Sequence, residues 1–159
     1  MVDKNKLGLQ LEELLEVARD RIEDGDYRAS MLHCRRALET ILHSIEEDMN
    51  GVSPPRNPPN TKWITSFKGY LGIDRGKWKE WKLLFEVGNS TNPWLHENPN
   101  HDEDINAEKV GKTITNLCTI AKGIFGISLQ VGQEEPPLLS EFERKLFDLK
   151  DSSDISESA

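Results

Sequence analysis

The stretch LGLQLEELLEVARDRIEDGDYRASMLHCRRALETILHSIEEDMN, Leu7 to Asn50, decides the fold class. In its first half Leu7, Leu11, Leu14, Leu15, Ala18 and Ile22 recur at helical spacing, while Glu12, Glu13, Glu16 and Asp20 fall on the opposite face. The pattern predicts a helix from about Leu7 to Asp24, stopped by Gly25 in a left-handed cap. Asp26 then stands where an N-cap is needed, ahead of a second helix to about Asn50. The stripe of that helix, Tyr27, Met31, Cys34, Leu38, Ile41 and Ile45, alternates steps of four and three. So short a joint leaves the two helices one arrangement, an antiparallel hairpin.

Outward from the hairpin the punctuation is equally local. The segment GVSPPRNPPN, 51–60, is a loop, because its prolines remove backbone donors and bias the preceding residues away from helix. A shorter helix is expected from Thr61 to about Leu71. Another, capped by Asp74, should carry Trp78, Trp81, Leu84, Phe85 and Val87 to a stop at Gly88. After the loop GNSTNPWLHENPNH, 88–101, the acids Asp102, Glu103 and Asp104 stand where a helix dipole favours negative charge. That helix should run through Val110, Ile114, Leu117, Ala121 and Ile124 to Gly126. Beyond it, ISLQVGQEEPP is extended, and Ser140 with Glu143 forms a capping box for a short helix carrying Phe142, Leu146 and Leu149. The chain is thus expected to be all-α, an up-and-down bundle of four to five core helices plus a short C-terminal helix. Residues 1–126 make the bundle, 127–150 the connection and last helix packed on it, and 151–159 a disordered tail.

At 159 residues one domain suffices. No apolar run has membrane-spanning length, and charged residues interrupt the leucines of the N-terminal segment, so a cytoplasmic protein without a membrane partner is expected. Cys34 and Cys118 both fall on apolar helix faces and read as reduced core thiols. A net charge of −8 excludes bulk wrapping of duplex DNA. Between Thr61 and Lys82, however, Lys62, Lys68, Arg75, Lys77, Lys79 and Lys82 outnumber Asp74 and Glu80. The same stretch interleaves Trp63, Phe67, Tyr70, Trp78 and Trp81 with these bases, the composition that single-stranded RNA uses for stacking and phosphate contact. Core packing of Trp78 and Trp81, with Lys77, Lys79 and Lys82 on the wet side, explains the same residues and is the preferred reading.

Two segments together, DYRASMLHCRRALETIL (26–42) and LFEVGNSTNPWLH (84–96) followed by the next helix, resemble HEPN-like all-α domains. The likeness is to the subgroup found beside restriction, toxin–antitoxin and abortive-infection modules, and it spans roughly residues 7–126. It implies a homodimer, possession of a polar motif at the dimer interface, and a link to RNA or to a partner defence protein. In HEPN ribonucleases the motif joins an Arg and an Asn to a His a few residues on: His exchanges protons near neutral pH, and Arg stabilises charge growing on a phosphate oxygen. Here His96 matches the His, and Asn92 or Asn89 the Asn. The Arg position falls on Thr91 by the tight spacing and on Phe85 by the looser one, and neither can supply a cation.

The resemblance therefore implies a noncatalytic module that acts by protein association or weak RNA binding. Its contact residues would be Arg75, Lys77, Lys79, Lys82 and Trp94, and Trp94 would pin the loop to the bundle or to a second subunit. A metal-independent ribonuclease using His96, with Arg75 or Lys82 as a displaced base, is the first alternative. Arg28 with His33 matches the motif literally but on the wrong helix, where it reads as solvated-face chemistry. A tetratricopeptide-like adaptor is the second alternative, carried by ARDRIEDGDYRAS, 18–30, and Ala37, although nothing similar returns one repeat later. No metal site is expected, since His96, His101, Asp102 and Asp104 lack compact ligand spacing, and no cofactor motif is present.

Overall fold

The computed structural model describes residues 2–51, 60–92 and 105–131. In chain order these form α1 (Lys4–Glu23), α2 (Tyr27–Asn50), α3 (Thr61–Thr65), a wide π-type turn (Lys68–Asp74), α4 (Trp78–Thr91) and α5 (Ala107–Phe125). No strand occurs among the described residues, and the architecture is an all-α bundle. The proline loop 52–59, the loop and acids of 93–104, and everything after Val131, including the expected last helix and tail, lie outside the described residues.

The hairpin follows its sequence closely. The Asp26 carboxylate accepts from the Ala29 N–H at 3.1 Å, and Gly25 takes a φ of 78° that a side chain would resist. Leu7, Leu11, Leu15 and Ala18 of α1 are buried against Met31, Cys34, Leu38, Ile41 and Ile45 of α2. At their contact the buried Ser30 hydroxyl donates to the Ala18 carbonyl at 2.6 Å, which satisfies a polar group inside the seam. Both α2 and α5 touch each of the other long helices, so they make the centre of the bundle.

The middle of the chain departs from expectation. The single helix predicted over 61–71 splits into α3 and the π-type turn. Gly69 and Gly72 weaken any regular helix there, and Gly72 has a second task. A methyl group on it would come within 2.6 Å of the Trp78 ring, so the indole lies against bare backbone. Asp74 does not cap α4, which begins after Lys77 without a side-chain cap. Gly88 does not end α4 either. The helix continues to Thr91, and Gly88 instead brings its backbone close to Leu38 and Ile64. The last long helix begins at Ala107 rather than near Asp104, because the Asn106 side chain caps it by accepting from the Lys109 N–H at 2.8 Å. Gly126, at φ 72°, ends it as expected.

Trp81 joins the packed layer: its Nε1 donates to the Ile64 carbonyl at 2.9 Å, and its ring meets Phe85 edge-on at 5.0 Å. Trp78 does not, remaining 39% exposed, which corrects the expectation that both indoles fill the core.

Cys34 is fully buried, and burial pushes its thiol from an ordinary value near 9 up to about 12, with Cys118 adding to the effect. Between those values the folded chain holds a proton that the unfolded chain releases. The resulting stability is complete below pH 9 and is lost as the pH rises toward 12. Chemical denaturation should give a stability about 2 kcal/mol lower at pH 10.5 than at pH 8 from this group alone. Cys34→Ala should flatten that slope, whatever it does to stability at pH 8.

Candidate functional site

The motif region is built on the last turn of α4. Asn89 and Asn92, the two candidates for the motif Asn, are exposed and sit one turn apart. With Asn60, Thr61, Phe85 and Gly88 they line a small polar notch of about 80 Å³. Among its described residues the notch offers carboxamide donors and acceptors and a hydroxyl but no ionised group. It suits a hydrogen-bonding contact rather than proton transfer. His96, Trp94 and His101 lie outside the described residues.

Thr91, the position that the resemblance at its tight spacing would give to the motif Arg, is fully buried. Its hydroxyl donates to the Val87 carbonyl at 2.9 Å and accepts from a guanidinium that arrives from another helix. Arg35 of α2 places NH1 3.2 Å from Thr91 Oγ1 and 3.4 Å from the Gly88 carbonyl. Only 5% of Arg35 is exposed. Burial lowers the pKa of its guanidinium, and Glu39, one turn further along α2, acts in the opposite sense and favours the charge. An arginine titrates so high that it stays charged here. The chain therefore carries a buried cation against Thr91.

Sequence reasoning missed Arg35 because it sought the cation within the motif's own segment. The available signal was position: Arg35 follows Met31 by four and precedes Leu38 by three, so it stands on the apolar stripe of α2. A charge on such a face needs an internal partner.

The other candidate bases are not brought to Asn92. Arg75 NH2 donates to the Ile124 carbonyl at 2.7 Å, closing the end of α5, and its guanidinium lies over the Tyr70 ring at 5.6 Å. It precedes α4 while Asn92 follows it, a separation of roughly 20 Å at the helical rise. Lys79 and Lys82 are exposed on α4 and Lys77 partly so, and none of the three forms an ion pair among the described residues. Lys82 is one turn from Trp78 on the same helix face. Ile73, 70% exposed, lies on the preceding turn. His33 is occupied locally, with Nδ1 2.9 Å from the Ala29 carbonyl of its own helix.

Among the described residues no group of three or more His, Cys, Asp or Glu side chains gathers as a metal site. No described helix is long and apolar enough to cross a membrane. No family model, curated protein or solved structure matches the chain significantly.

Arg35→Ala should lower stability by about 2–3 kcal/mol in urea denaturation, because Thr91 and the end of α4 lose a charged donor and the core gains a hole. Arg35→Lys, with one shorter-reaching ammonium, should restore less than half of the loss. A change below about 0.5 kcal/mol for Arg35→Ala would mean that the guanidinium does not hold α4.

Proposed function

We propose that this chain is a noncatalytic HEPN-like helical module that acts by protein association or by weak contact with single-stranded RNA, in a prokaryotic defence or toxin–antitoxin setting. The observation that supports it is the use made of Arg35. The cation that reaches the end of α4 is spent inside the protein on Gly88 and Thr91, where it holds a helix end instead of meeting a phosphate. The bases that do face solvent, Lys79 and Lys82, stand within one turn of an exposed Trp78 at the other end of α4. A stacking surface with two phosphate contacts fits weak, sequence-tolerant RNA binding.

One observation favours the second reading, a metal-independent ribonuclease using His96 and Asn92. Arg35 brings to Thr91 in space the cation that position 91 lacks in sequence. Purified protein incubated with labelled single-stranded RNA decides between the two. The noncatalytic reading expects intact RNA from wild type and from His96→Ala alike; cleavage that disappears in His96→Ala overturns it. Binding is measured separately. Lys79→Glu combined with Lys82→Glu should weaken it several-fold and flatten the plot of log affinity against log salt by roughly 1.4.

Association is proposed to take the form of a two-fold homodimer through residues 88–101, as the resemblance implies. Trp94 and Leu95 follow a proline there, and a small bundle has little spare core to cover them. Sedimentation across a concentration series should show a wild-type dimer and a dissociated Trp94→Asp variant. A wild type that stays monomeric at high concentration removes both the dimer and any composite site that depends on it.

A further inference from the structure

Beyond Gly126 the chain turns back along α1. A methyl group on Gly8 would meet Ile127 Cγ2 at 3.3 Å, and the Gln130 N–H donates to Glu12 Oε2 at 3.0 Å. Leu129 and Val131 are buried. Each residue after Ile127 therefore sits further along α1, toward its C-terminal end. Val131 lines one side of a groove of about 450 Å³ between α1 and α5. Ile22, Ile114, Cys118 and Val131 give its floor, and Arg19 and Glu23 its rim. Gly111 widens it, for a methyl group there would meet nothing within 4 Å.

We infer that this groove is the seat of the chain's own last segment, residues 138–150, which docks its apolar face between α1 and α5. Three observations carry the inference. The chain reaches the groove at Val131, which lines one side of it. Twenty-eight residues remain beyond that point, and the first six, GQEEPP, are enough to span roughly 20 Å, so a helix begun near Ser140 can fold back over the floor. The segment LLSEFERKLFDLK then places Leu139, Phe142, Leu146 and Leu149 at steps of three and four, one apolar stripe to set against the apolar lining of the groove. Glu143 and Arg144 stand beside that stripe, opposite a rim that also carries both signs.

Cys118 reports occupancy of the groove, because it is half-buried on the floor while Cys34 is sealed in the core. In the full chain Cys118 should react slowly with a thiol reagent at pH 8, at a rate independent of protein concentration. Phe142→Asp with Leu146→Asp should speed it at least tenfold while Cys34 stays silent, the sign that the bundle is intact. Equal Cys118 rates in wild type and double variant overturn the inference, and so does protection that grows with protein concentration, since a second copy then covers the floor. Should Cys34 also react in the double variant, Gly111→Trp gives the answer from the other side of the contact. That substitution fills the groove and should accelerate tryptic cleavage after Arg144 and Lys145. Cleavage equally fast in wild type overturns the docking.

Discussion

The end of α4 depends on one buried charge. Arg35 takes its guanidinium into the bundle, where desolvation opposes the ionised form and two acceptors from α4, with Glu39 nearby, favour it. A charge in this position is stabilising only while its acceptors stay in place, since removing them would leave an unpaired cation in a medium that solvates it badly. The orientation of α4 against α2 is therefore specified more sharply than apolar contact alone would specify it. Leu38, Leu84 and Val87 would tolerate small slides along the interface; a hydrogen bond from a planar group would not.

That clamp also shapes the functional reading. Thr91 is small enough to be buried, and its hydroxyl both donates to Val87 and accepts from Arg35. An arginine at position 91 would place a second guanidinium against the first. The buried Thr91 and the buried Arg35 thus belong to one arrangement. The exposed bases and Trp78 lie at the far end of α4, where the π-type turn and Gly72 hold the indole half out of the core. Two chemically different ends of one helix follow: a neutral amide-lined notch beside Asn89 and Asn92, and a basic aromatic edge beside Lys79 and Lys82.

What the sequence disclosed is what local chemistry decides. The Asp26 cap, the left-handed Gly25 and Gly126, and the stripes of α1, α2 and α5 depend on neighbours within one or two turns, and each stands where its spacing placed it. Gly88 shows where that logic stops. In sequence it is a plausible helix terminator; in space it is a close-packing position against Leu38 and Ile64, and α4 runs past it. The π-type turn and the exposure of Trp78 were hidden for the same reason, since both follow from the fit of an indole onto Gly72. Arg35 was legible only as a charge on an apolar stripe. Its partner, 53 residues away at Gly88, is a property of the assembled bundle.

The separation of that pair along the chain sets an order of assembly. The Ser30 hydroxyl and the Ala18 carbonyl are 12 residues apart, so the α1–α2 hairpin closes a short loop and forms among the early, local contacts of the search. Closing the Arg35 clamp means ordering a far longer stretch, which includes the proline loop, at a larger entropic cost. On that ground the hairpin is expected to form before α4 docks, with Arg35 hydrated on its open face until then. Capture of α4 is then expected to drive water from the guanidinium, with the end of α4 among the last parts of the bundle to become native.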